Sequence, residues 1–136
     1  MARSVLVDAG FLVALLSRRD SQHEWAATIA PDYAPPWRTC EAVLSEAYHL
    51  LGTRGAPGLS ALLHRRALIV AFDLDNDVES VTRLLHKYAD VPMSLADACL
   101  VRMSETFPDP IILSTDSDFR IYRRHSRQTV PCKLPS

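Results

Sequence analysis

The feature that most limits how this chain can fold is the segment RSVLVDAG at residues 3–10, where a short apolar run stops at an acid and a glycine. Val5, Leu6 and Val7 offer no polar side, so the segment reads as a strand buried on both faces, as in the middle of a parallel sheet. Asp8 then falls at the carboxyl end of that strand, where open α/β sheets place their ligand crevice. Gly10 lets the chain turn tightly into a helix over residues 11–16. A carboxylate at such a place is poorly solvated unless a cation or a hydrogen-bond donor meets it. Capping the helix is an equally good use of Asp8. What decides is whether other acids reach the same edge.

The same alternation continues along the chain. Residues 67–72 (ALIVAF) and 111–114 read as further buried strands, and a short last strand is expected over 129–133. Between them, helical periodicity places a helix capped by Asp20 or Ser21 and carrying Trp25, Ala26, Ile29 and Ala30. A long helix follows from Thr39 to Gly52, then a shorter one over 59–66 after Gly55, Pro57 and Gly58. Another helix, capped by Asp75 or Asp77, ends near Tyr88 and buries Val78, Val81, Leu84 and Leu85. The last covers 94–104. Pro31, Pro35 and Pro36 leave residues 32–37 as a loop or a short edge strand. Strands alternating with helices predict an α/β domain on a parallel sheet. At 136 residues without a Gly-, Pro- or Ser-rich linker, residues 1–136 form one domain.

Composition excludes little. A net charge of −1 is compatible with a nucleic-acid partner, because local patches outweigh the sum. Cys40, Cys99 and Cys132 lack metal or redox spacing and read as free thiols in a reducing compartment. No apolar run is long enough for a secretion signal or a membrane span, so a cytoplasmic protein with no membrane contact is expected.

Acids recur where acids are awkward. At about 100° per residue, Glu46 lies about 40 to 60° from Val43 and Leu50, bordering the apolar stripe, whereas Glu41 falls nearly opposite it. Asp97 sits among Leu95, Ala96, Ala98 and Leu100, and Ser94 three residues earlier gives it the alternative role of a capping box. Asp116 follows the strand at 111–114, the same topological place as Asp8. Asp118 either caps the turn at Phe119 or adds a further carboxylate. Two strand-end acids and two helix acids facing the sheet would concentrate negative charge, which destabilises the fold unless a cation binds. Oxygen-only ligands suit Mg²⁺ or Mn²⁺ rather than zinc. Such a centre activates water for phosphodiester hydrolysis.

The segments VDAGFLVALLSRRDSQH, VLSEAYHLL, YADVPMSLADACLV and LSTDSDFRIYRRH, in this order and spacing, resemble a PIN domain, and within that family the VapC-like ribonuclease toxins of bacterial toxin–antitoxin systems. The resemblance implies a three-layer α/β/α sandwich and a Mg²⁺-dependent endoribonuclease. It also implies a homodimer and inhibition by a small antitoxin that covers the site. The family's metal-binding acids fall on Asp8, Glu46, Asp97 and Asp116, with Asp118 as the frequent additional one. The chain departs from the pattern after its first aspartate, where many PIN domains have Thr or Ser and this one has Ala9 and Gly10. Thr115 is the substitute candidate for a hydroxyl near the site.

Beyond the last acids, Arg120, Arg123, Arg124 and Arg127 crowd together with His125, and Tyr122 is interleaved. Arginine forks match phosphate geometry and an aromatic ring can stack on an unpaired base, so this segment is the candidate RNA-guiding surface. The cluster at residues 64–66, and Arg18 with Arg19, are weaker candidates. The reading from sequence is therefore a metal-dependent endoribonuclease, with RNA and an antitoxin as partners. The alternatives are a PIN-like module that only binds RNA or antitoxin, and a receiver-type signalling domain. The receiver pattern fits poorly, since one acid rather than a pair follows the first strand and Lys133 stands almost at the end.

Overall fold

The computed structural model describes residues 3–136. Five parallel strands form the central sheet: β1 (Ser4–Val7), β2 (Trp37–Thr39), β3 (Leu68–Val70), β4 (Pro110–Leu113) and β7 (Cys132–Lys133), in the order β3-β2-β1-β4-β7. Every residue of β1 and β4 is buried, as strands with apolar side chains on both faces require. Helices α1 (Ala9–Leu16), α2 (His23–Ile29), α3 (Glu41–His64), α4 (Val78–Lys87) and α5 (Leu95–Thr106) cover the sheet, making a three-layer α/β/α sandwich. Helix α1 packs on both α2 and α3, α4 packs on α5, and α5 lies against β1 and β4. The core is dense in large side chains: Leu6, Phe11, Leu12, Leu59, Leu100, Met103, Ile112 and Leu113 are fully buried. Phe11 stands edge-on to both Trp25 and Trp37, tying α1 to α2 and the sheet. Among the described residues no helix is long and apolar enough to cross a membrane, and all three cysteines are free.

Several elements differ from the sequence expectation. Residues 33–36 form the expected loop, but Trp37 already belongs to β2, which lies inside the sheet between β1 and β3 rather than at its edge. Thr39 closes this strand rather than opening a helix, and its hydroxyl donates to the Val7 carbonyl at 2.9 Å. The run ALIVAF yields only the three-residue β3 at the sheet edge, where Val70 is exposed, so its apolarity overstated its burial. The long helix does bend at Gly52, which takes φ 64° and ψ −167°, but helix resumes at once instead of at residue 59. Gly52 meets that left-handed demand without steric cost. On α4, only Val81 is buried, while Val78 is exposed. The last strand splits: Thr129 joins a small antiparallel hairpin of β5 (Arg123–Arg124) and β6 (Gln128–Thr129), and β7 alone reaches the sheet.

The strand order locates the crevice. From β1 the sheet grows through β2 and β3 on one side and through β4 and β7 on the other. The order therefore reverses between β1 and β4, and the gap beyond their carboxyl ends is where α/β sheets bind ligands. Val7 pairs with Leu113, which puts Asp8 beside Ser114 at the mouth of that gap.

Candidate active site

Asp8 caps the helix that follows it and meets a hydrogen-bond donor at the strand end. Its Oδ1 accepts a hydrogen bond from the Ala9 N–H at 2.8 Å, capping α1, which therefore starts two residues earlier than its expected bounds. Its Oδ2 accepts from the Ser114 hydroxyl at 2.7 Å. That hydroxyl in turn accepts from the Asp116 N–H at 2.9 Å. Ser114 is fully buried and ties the two strand-end acids into one unit. Sequence reasoning passed over it as the last residue of an apolar strand. The available signal was a hydroxyl buried next to an apolar run, which needs partners.

Helix α5 supplies Asp97. Ser94 caps this helix by accepting from the Asp97 N–H at 3.0 Å, so half of the capping box forms. The Asp97 carboxylate turns elsewhere and accepts the Tyr122 hydroxyl at 2.8 Å. Tyr122 is fully buried, packed edge-on against Tyr88 and Phe119. It is unavailable to stack on a base, and the stacking role expected for it is replaced by holding Asp97. Glu46 projects from α3, exposed, and Asp116 caps the 3₁₀ turn of residues 117–120 by accepting from the Asp118 N–H at 2.9 Å.

These segments meet. Asp8, Glu46, Asp97, Asp116 and Asp118 line one cavity of about 270 Å³, together with Gly10, Ser94 and Thr115. Thr115 lines the same cavity as the acids. It also explains Gly10, where a β-carbon would collide with the Thr115 hydroxyl. Burial pushes the Asp8 carboxyl up to about 7, with the charges of Asp97 and Glu46 adding and the Ser114 hydrogen bond opposing. Burial likewise raises Asp97, opposed by the Tyr122 hydroxyl and reinforced by Asp116 and Glu46. Crowded, desolvated carboxylates of this kind mark functional sites.

The donor chemistry of the cavity fits a hard divalent cation: its acids are all carboxylates, and no histidine or cysteine lines it among the described residues. Among the described residues, no three Asp, Glu, His or Cys side chains are gathered tightly enough around one point to hold a metal ion. The carboxylates stand on the walls of the cavity rather than closing on its centre.

The arginines of residues 120–127 do not line this cavity. Arg120 and Arg127 are exposed. Arg123 faces a second cavity, between α4, α5 and the hairpin. Arg124 is half-buried and contacts His125 at 3.2 Å, and its Nε has no partner among the described residues.

Tyr122→Phe should show what its hydroxyl does for Asp97. Deleting a side-chain donor on a buried carboxylate costs about 1–3 kcal/mol. Because this hydrogen bond favours the ionised acid, the loss of Tm is expected to be largest at pH 8 and to shrink as pH falls and Asp97 protonates. Identical melting curves at both ends of that range would mean the contact carries no weight.

The sequence matches the family model of the PIN domain over residues 5–124. The crystal structure of VapC20 from Mycobacterium tuberculosis, a sarcin-ricin loop cleaving toxin, has a similar fold. The two chains are 23% identical with a TM-score of 0.67, over 85% of this chain and 92% of that one. No curated protein matches the sequence.

Proposed function

The chain belongs to the PIN domain family, and on that premise we propose that it is a Mg²⁺-dependent endoribonuclease, the toxin of a toxin–antitoxin pair. One observation carries the reading: acids from four distant stretches of sequence line a single cavity at the point where the strand order reverses. The likeness in fold to a toxin that cleaves the sarcin-ricin loop supports RNA as the substrate class. A small antitoxin partner, a homodimer and a cytoplasmic setting belong to the same reading.

Asp8, Asp97 and Asp116, with Glu46 and Asp118, would hold Mg²⁺, or Mn²⁺ in its place. When bound, the ion supplies Lewis-acid activation of water and neutralises charge building on the phosphate. The protein's own part is orientation. Ser114 holds Asp8 and Asp116 in fixed relation, and Tyr122 holds Asp97. The Glu46 and Asp118 carboxylates make no side-chain hydrogen bond among the described residues, which leaves either free to accept a proton. Arg120, Arg123, Arg124 and Arg127 would carry the RNA backbone outside the cavity, with Thr115 contributing a hydroxyl inside it.

The test is cleavage of single-stranded RNA by the purified protein with Mg²⁺, with Mn²⁺ and with EDTA. Cleavage is expected with either ion and none with EDTA. Cleavage that persists in EDTA sinks the metal-dependent mechanism, and tight RNA binding without cleavage in any buffer identifies a binding module instead.

A further inference from the structure

We infer that the second cavity, of about 240 Å³ between α4, α5 and the β5–β6 hairpin, is a binding site for backbone phosphates of the RNA strand, separate from the acid cavity. This rests on the proposed nuclease reading and adds the place where the flanking strand is held. The cavity is lined by Arg83 and Lys87 from α4, Arg102 and Glu105 from α5, and Arg123 and His125 from the hairpin.

Its charge is uncompensated. Glu105, the acid on its wall, is already committed with both oxygens: Oε1 accepts from Arg102 at 3.2 Å and Oε2 from the His125 N–H at 2.7 Å. Arg102 is further paired with Asp77 at 2.8 Å. Among the described residues these are the only ion pairs, so Arg83, Lys87 and Arg123 keep their full positive charge. The Arg123 guanidinium donates to the carbonyls of Arg120, Ile121 and Tyr122, which fixes its direction without neutralising it. Lys87 is steadied by the Ser126 carbonyl at 3.2 Å and the face of Tyr88. A held, unneutralised guanidinium is well suited to a phosphate oxygen. Arg18, Arg19 and Arg54 around another cavity have no such fixing contacts among the described residues, so ordering them on a ligand costs more entropy.

The hairpin is held in a costly shape. His125 and Ser126 both have left-handed φ, 48° and 69°, a conformation that non-glycine residues adopt at a steric cost. Glu105 clamps the first of them.

RNA is favoured over an acidic peptide because the cavity is wired to the acid cavity. Tyr122 holds Asp97, and the next residue, Arg123, faces the basic cavity. Along α5, Arg102 and Glu105 lie about 8 and 12 Å beyond Asp97 at 1.5 Å per residue. An RNA strand running from one cavity to the other covers that distance in a few nucleotides.

The test uses R83A/K87A, two exposed residues outside the acid cavity, with a labelled 12-nucleotide RNA in EDTA, titrated across salt concentrations. Each lost phosphate contact lowers the slope of log K against log salt by about 0.7. The variant is expected to show a slope shallower by about 1.4, a Kd raised roughly tenfold or more at low salt, and an unchanged Tm. With Mg²⁺, KM should rise in step while kcat at saturating RNA holds. Wild type that cleaves RNA, beside a variant with the same slope and KM, overturns the site and leaves the nuclease reading standing. Wild type that neither binds nor cleaves RNA overturns both. A variant that keeps its RNA affinity but loses affinity for a glutamate-rich peptide overturns the assignment to RNA.

Discussion

Asp8→Asn is expected to melt well above wild type at pH 8 in EDTA, by something on the order of 10 °C. The reason is the cost of keeping Asp8 ionised in a buried site beside two other acids. Lifting its carboxyl from 3.8 to about 7 corresponds to about 4 kcal/mol of lost stability once the group is charged. For a chain of this size that is of order 10 °C in Tm. The sign follows from the raised value. Below the unfolded value both states are protonated and the penalty is absent; it grows as pH rises through the interval and is complete above about 7. The gap between variant and wild type should therefore close on acidification and be gone near pH 4. Asparagine keeps one contact and reverses the other: its oxygen still accepts from Ala9, and its amide can donate to the Ser114 hydroxyl, which donates to Asp8 in wild type. Adding Mg²⁺ should raise the Tm of wild type more than that of the variant, since only wild type keeps the full set of carboxylates. An Asp8→Asn protein no more stable than wild type at pH 8 would show that the acids are not under electrostatic strain.

Asp97→Asn separates chemistry from folding. Tyr122 can still donate to the asparagine oxygen, and the Ser94 cap uses the main chain, so the fold should persist. RNA cleavage is expected to fall on the order of a hundredfold or more, because even indirect partners of a metal ligand are worth about 10–100-fold and a ligand is worth more. The readout is kcat/KM on a defined single-stranded RNA at saturating Mg²⁺, beside a melting curve that shows the variant folded. Unaltered cleavage would remove Asp97 from the site and the divalent-ion mechanism with it.

Both expectations involve residues whose individual prominence was legible in the sequence. An apolar run ending in an acid marks Asp8 and Asp116 as strand-end carboxylates, because strand burial and sheet polarity follow from local pattern. The failures share one cause. ALIVAF at 67–72 has the composition of a central strand, yet β3 lies on the edge, since strand order is settled by non-local pairing. Trp37, placed by its neighbouring prolines in a loop or at an edge, and Thr39, placed at a helix start, belong instead to an inner strand for the same reason. Tyr122 reads as a surface aromatic among arginines, but its neighbours Phe119 and Tyr88 draw it inside to hold Asp97.

What the sequence by itself determined is therefore the strands β1 and β4, most of the helices, the α/β class, and the acids that stand at the strand ends. Each of these depends on side chains a few residues apart. Only the tertiary structure decided that the sheet reverses order between β1 and β4, that Ser114 joins Asp8 to Asp116, and that Arg123 faces a different cavity from the acids. Those facts link residues as far apart as Asp8 and Ser114, and contacts across such separations are set by packing of the whole chain rather than by any local propensity.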